Sequence, residues 1–226
     1  MSQTSVPEVV SLSAQISQTL PPGLRLLEPI DRLFSWIESR GTFIDRGDLR
    51  IGTLFDEDRI RAEGTETERP GGTWVRFFAE GDADYLEDWF GNDDPEVAAR
   101  LALFAQTGWD GSRAAFWLDD EGQQRIVHMS SGGGLVCTLG KDAVDFLRLL
   151  AIGYDEIVLV EQFAALPNAD PGERVVHPNR EYRQWVETTF GVSIPRTARE
   201  IVRHPAQAGD VDSPDSFCRW VERLTG

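Results

Sequence analysis

Cysteine is scarce in this chain of 226 residues: Cys137 and Cys218 stand far apart, and neither has a CxxC companion. That spacing implies neither a disulfide framework nor a zinc knuckle, and both thiols are expected to act as small buried hydrophobes. Lysine is scarcer still, with Lys141 alone among 22 basic residues. Long apolar runs are missing as well: no stretch approaches the roughly 18 to 20 residues that a membrane span requires. Residues Met1 to Glu8 hold neither a basic residue nor an apolar segment, so no secretory leader is expected there and the implied location is the cytoplasm. Internal repeats and low-complexity linkers are absent too.

What is abundant is acid and aromatic surface. Asp and Glu number 38, which sets the formal charge at −16. Such a field repels nucleic acid and anionic membranes and attracts basic partners. Solubility alone is a competing explanation of the acidity. With 41% hydrophobic residues, seven Trp and twelve Phe, the chain has enough apolar surface to bury a sizeable core, which excludes global disorder.

Periodicity divides the chain into alternating kinds of element. Residues 7–20 are a helical candidate ended by Pro21, Pro22 and Gly23. Pro29 then sits at a first-turn position, with Ile30, Leu33, Phe34 and Ile37 at helical spacing and Gly41 as the stop. Short apolar runs at 43–44, 49–55 and 73–79 predict strands, separated by an exposed loop over 57–72. Asp94 as N-cap and Pro95 at N1 predict a helix that buries Val97, Leu101 and Phe104 and stops at Gly108. A hairpin follows, with strands at 114–118 and 125–129 around the turn 119–122. After a glycine-rich turn at 130–134, a strand at 135–139 leads to a helix carrying Val144, Leu147, Leu150 and Ala151, closed by Gly153. Tyr182, Trp185, Val186 and Thr189 share a helical face before Gly191. A short helix is expected from Pro195, and Ser213-Pro214 opens a last helix with Phe217, Trp220, Val221 and Leu224. This order predicts one α+β domain over residues 1–226, a mostly antiparallel sheet surrounded by helices.

Motifs for chemistry do not assemble. Gly132-Gly133-Gly134 followed by Gly140-Lys141 invites a phosphate-loop reading, but Leu135 stands where the loop needs glycine and Asp142 where it needs Ser or Thr. The glycines are better explained by backbone freedom at a tight crossing. His128, His177 and His204 form no HxxxH or HExxH pair, so no metal site is expected. Ser130-Ser131 lies close to His128, but without a GxSxG elbow it makes no triad. Catalytic residues and cofactors are therefore expected to be none. Acid–base chemistry by an Asp or Glu pair in a cleft stays open as the minority alternative.

The richest segment lies between Arg76 and Arg100, where Glu80, Asp82, Asp84, Glu87, Asp88, Asp93, Asp94 and Glu96 occur with no basic residue among them. Tyr85, Trp89 and Phe90 are set among these acids. Asp82-Ala83-Asp84 opens like a calcium loop, but Leu86-Glu87 occupy the next sites where an EF-hand needs Asp or Asn and then glycine. Two readings remain, and they are compatible. In one, Asp82 caps an amphipathic helix ending at Gly91, with Tyr85, Leu86, Trp89 and Phe90 inward and Asp84, Glu87 and Asp88 in water. In the other, Asp82, Asp84, Tyr85, Glu87, Asp88, Trp89, Asp93 and Asp94 form a partner-binding surface, an acidic rim around an aromatic anchor.

Residues 109–154 carry a family resemblance. Trp109-Asp110-Gly111 precedes a strand with Ala115-Phe116-Trp117-Leu118, and the return strand ends Val127-His128-Met129-Ser130-Ser131 before Gly132-Gly133-Gly134. Phe146-Leu147-Arg148-Leu149-Leu150-Ala151-Ile152-Gly153-Tyr154 follows, and the Trp185 helix before Phe190-Gly191 and Ile194-Pro195 continues the likeness. This pattern resembles the SUKH superfamily of cell-wall-assembly-regulator-like domains, best over about residues 109–195 and diffusely over 1–105. The resemblance implies a single α+β domain with no catalytic residues to carry over. It also implies an immunity protein, which binds and neutralises a cognate polymorphic toxin. The alternative of another class is a cytosolic regulatory or scaffold module with a non-toxin partner.

Overall fold

Side chains of the central strands alternate between two cores, and that alternation sets the architecture. The computed structural model describes residues 9–79 and 83–226. In β5 (Leu101–Gln106), Ala102 and Phe104 enter one core while Leu101 and Leu103 enter the other. β6 (Arg113–Leu118) divides in the same way, with Ala114 and Phe116 on one side and Ala115 and Trp117 on the other. A strand with period two and both faces covered must be apolar almost throughout, which is how both sequences read.

Seven strands form one sheet in the order β1 (Phe43–Arg46), β2 (Leu49–Thr53), β4 (Arg76–Phe77), β5, β6, β7 (Gln124–Met129) and β8 (Val136–Thr138). Every neighbouring pair is antiparallel. A separate two-stranded parallel pair joins β3 (Glu68–Arg69) to β9 (Val175–Val176). The α+β class and the antiparallel sheet are thus as predicted. One core packs α1 (Leu12–Thr19), α2 (Glu28–Arg40), α6 (Ala143–Ile152) and α7 (Arg180–Phe190) on the sheet. At its centre Phe104 stacks on Phe116 at 4.2 Å and meets Phe146 edge-on at 5.7 Å. The second core lies under α4 (Ala83–Phe90), α5 (Pro95–Arg100) and α8 (Ser216–Thr225), where Trp117 packs on Phe217 and Trp220.

Helix boundaries follow local chemistry. Asp142 caps α6 by accepting from the Asp145 N–H at 3.0 Å, and Asn179 caps α7 through the Tyr182 N–H at the same distance. Asp215, rather than Ser213, caps α8. The expected helix after Pro195 is a single 3₁₀ turn at Ala198–Glu200, closed by a reciprocal Thr197–Glu200 capping box. Cys137 and Cys218 are both free and buried. The glycine run serves as backbone: Gly133 has φ 73°, and a Cβ on Gly134 would lie 2.8 Å from the Val158 carbonyl oxygen.

Two expectations need correction. The helix predicted from Asp94 to Gly108 ends at Arg100, and the rest becomes β5 in the middle of the sheet. Val97, Leu101 and Phe104 fit a helical period, but strand pairing with β4 and β6 decides the outcome. The loop predicted over 57–72 contains α3 (Glu57–Glu63) and β3. α3 buries no residue and is held by the Asp56 cap and the ion pairs Arg59–Glu63 and Arg61–Asp58, so it has no apolar periodicity to detect. Arg69 in β3 is only 2% exposed; it bonds the Asp155 carboxylate at 2.7 Å and the Gly72 carbonyl at 2.6 Å.

His128 is fully buried on β7, between the Thr107 hydroxyl at 2.9 Å and the Leu135 carbonyl at 2.8 Å. The carbonyl can only accept, so Nδ1 carries the proton and Nε2 accepts from Thr107. Burial pushes the imidazole pKa down to about 4. The folded state therefore holds a neutral ring, while the unfolded chain takes up a proton below about pH 6.5. This contribution is complete above that pH and is lost as pH falls toward 4, amounting to about 2 kcal/mol by pH 5. Urea unfolding at pH 7.5 and pH 5.0 should show a larger acid loss for the native chain than for His128→Gln; equal losses would remove His128 as the cause.

Candidate functional site

α4 resolves the two readings of the acidic segment into one geometry. Leu86 and Phe90 are buried in the second core, and Tyr85 and Trp89 are partly buried against it. The Trp89 indole N–H donates to the Ser130 carbonyl at 2.9 Å, and the Tyr85 hydroxyl reaches the Gly111 carbonyl at 3.4 Å. Both aromatics are therefore anchored inward, as amphipathic spacing demands. Asp84, Glu87 and Asp88 on the same helix are exposed, as is Asp93 beyond it. Among the described residues, none of these four has an ion-pair partner. Asp82 lies outside the described residues.

The acids nearer α5 are used internally. Asp94 caps α5 through the Glu96 N–H at 2.8 Å and, among the described residues, accepts no hydrogen bond from a basic side chain. Glu96 takes the Trp220 indole N–H at 2.8 Å together with Arg100 and Arg223. The Arg223 and Trp220 hydrogen bonds pull its pKa down to about 2. Of the predicted surface, Asp84, Glu87, Asp88 and Asp93 face solvent, while Tyr85, Trp89 and Asp94 hold it in place.

The aromatic that is free for contact is a different residue. Trp109 is 56% exposed and stacks on buried Trp74, with ring centroids 4.3 Å apart and planes at 28°. Arg76 lies over Trp74 at 5.3 Å, and Glu57 grips its guanidinium with two bonds of 2.7 and 2.8 Å. The Trp109 loop is equally fixed. Its backbone N–H donates to Glu156 at 2.8 Å, and the Asp110 carboxylate accepts from the Ser112 N–H at 2.9 Å and the Ser112 hydroxyl at 2.8 Å. A Cβ on Gly108 would lie 2.5 Å from an Asp110 oxygen and 2.9 Å from a Glu156 oxygen. The two carboxylates therefore crowd over one glycine. Glu156 is held above the usual carboxylate range by burial and by the charges of Asp155 and Asp110.

In the sequence Trp109 stands out only as part of the Trp109-Asp110-Gly111 motif, and Glu156 is 47 residues away from it. No spacing rule joins them; the fold does, because the Ile157 N–H bonds the Thr107 carbonyl at 3.2 Å. This loop abuts α4, since the Tyr85 contact falls on Gly111 and Arg113 bonds the Gly111 carbonyl at 2.7 Å while lying over the Tyr85 ring at 4.9 Å. Among the described residues, no group of three or more His, Cys, Asp or Glu is placed to hold a metal ion, and no helix is long and apolar enough to cross a membrane.

No family model matches the chain, and neither a curated protein nor a solved structure is found to be similar to it.

Truncation separates the surface ring from the core ring. Trp109→Ala should lower unfolding stability by no more than about 1 kcal/mol, since it removes one exposed stacking partner. Phe90→Ala should cost about 3 to 5 kcal/mol, because it empties a core position. Equilibrium urea denaturation measures both, and comparable losses would mean that Trp109 is a packing residue.

Proposed function

We propose that this chain is an immunity protein, which binds and neutralises a cognate toxin by protein–protein contact on the surface built from α4 and the Trp109 loop. The observation that supports this reading most is the outward set of Asp84, Glu87, Asp88 and Asp93, unpaired among the described residues, on and just after a helix that Tyr85 ties to the loop of an exposed and rigidly mounted tryptophan. Carboxylates without internal partners add a directed field to the net charge of −16, and such a field steers a basic protein into encounter. A stacked Trp supplies contact area at low ordering cost, as binding hot spots do. The SUKH resemblance supplies the class of partner, a polymorphic toxin, and the absence of an assembled catalytic motif in the sequence agrees with a binding role.

Co-expression with the product of an adjacent toxin gene tests the reading. Cells carrying both should survive where the toxin alone kills, and equal killing would end the proposal. Reversal of three charges, Asp84→Lys with Glu87→Lys and Asp88→Lys, should slow association with a basic partner about tenfold at low ionic strength and leave the thermal transition unchanged. Stopped-flow association at two salt concentrations reads this directly; unaltered kinetics would place the contact elsewhere on the molecule.

A further inference from the structure

Trp109 has one face occupied and one face open. Trp74 covers the first at stacking distance, and an exposure of 56% leaves the other to solvent. Open aromatic faces carry partial negative charge and attract cations. Two carboxylates stand at the backbone that carries this ring, both close to Gly108. Glu156 is tied to the Trp109 backbone through one oxygen, and Asp110 is the next residue in the chain. Glu156 accepts from the Trp109 N–H and Asp110 from Ser112 and Ser131, and neither has an ion-pair partner among the described residues. Burial, and after it the charges of Asp155 and Asp110, raise the Glu156 pKa. Against its own burial, hydrogen bonds from Ser112 and Ser131 hold that of Asp110 below its ordinary value, so Asp110 stays ionised beside Glu156. A cation placed beside them would relieve their repulsion.

We infer that Trp109, Asp110 and Glu156 form the seat for an arginine side chain of the protein partner, its guanidinium flat on the open indole face and donating to the two carboxylates. This rests on the binding function proposed above and names the chemical group that the surface takes. Arginine fits better than lysine because a planar fork can stack and donate in its own plane at once, whereas an ammonium is a compact, strongly hydrated point charge. A nucleic-acid base would also stack on Trp109, but its phosphates would meet the carboxylates and the acidic face of α4. The seat is built in advance. The indole is held by Trp74, the loop by Ser112 and Glu156, and Gly108 lets the two acids approach because any side chain there would strike both. Pre-organisation of this kind lowers the entropic cost of binding.

The test uses the whole chain with ¹⁵N-labelled indoles, titrated with a hexa-arginine peptide, a hexa-lysine peptide and a hexa-citrulline peptide at low ionic strength. The Trp109 resonance, assigned by its loss in Trp109→Phe, should shift saturably with hexa-arginine, less with hexa-lysine and not with hexa-citrulline. Trp109→Ala and Glu156→Gln should each weaken hexa-arginine binding about tenfold. Glu156→Gln keeps an oxygen for the Trp109 N–H, so the loop should stay in place, and an unchanged thermal transition checks this. Hexa-arginine binding that survives both variants would overturn the seat and leave the acidic binding surface standing. No binding of either basic peptide would overturn both. Equal shifts with hexa-arginine and hexa-lysine would overturn the preference for guanidinium. Shifts that follow protein concentration without peptide would make a second copy of the chain the occupant and overturn the arginine assignment.

Discussion

Because helices cover both faces of the seven-stranded sheet, the side chains of β5, β6 and β7 are almost wholly committed to packing. The side chains available for outside contact are then those of the loops at strand ends and the outer faces of the helices. The β8 edge is closed as well, since Val136 bonds the Ala206 carbonyl at 2.7 Å and Leu135 bridges to Gln207. β1 forms the opposite edge and exposes Ile44, Asp45 and Arg46, a short charged strand that gives little template for further pairing. The turn from β5 to β6 is one of the places where the sheet meets solvent, and it carries Trp109.

The same compactness explains how charge is distributed. Acids outnumber bases by sixteen, and the arginines are largely engaged within the molecule. Arg50 joins Asp45 and Glu38, Arg69 and Arg174 share Asp155, Arg76 holds Glu57, and Arg148 holds Asp145. Several of these pairs fix loops to the sheet. The surplus must then appear as carboxylates without partners, and α4 carries three of them on its outer face, Asp84, Glu87 and Asp88, with Asp93 just beyond it. Much of that surplus is spread over the surface, where it favours solubility; the part on α4 lies on a helix tied to the Trp109 loop through Tyr85 and Arg113, which gives that side of the surface a direction.

Rigidity links the two halves of the site. Tyr85 and Arg113 tie α4 to the Trp109 loop at the Gly111 carbonyl, while Trp89 ties it to the turn after β7. The acidic helix face and the open indole are thus carried on one framework. A partner meeting both would find their spacing already set, which is the condition for charge and packing to act together.

Amino-acid order alone was enough for much of this. Pro29 and Gly41 bound α2, the 119–122 turn marks the hairpin, and Gly153 closes α6, because caps and turns depend on a few residues with restricted backbone choices. The acidic face of α4 was legible for the same reason, as local spacing decides which side of a helix is wet. Pairing partners decided the rest. Residues 101–106 fit a helix by spacing and became a strand because β4 and β6 flank them. Helical spacing put Trp89 inward while its acidic neighbours made it a candidate anchor, and a bond to Ser130 holds it inward. Trp109 came to the surface beside a carboxylate 47 residues away only when the chain folded. Contacts between distant segments depend on tertiary packing, and no short-range pattern in the chain encodes them.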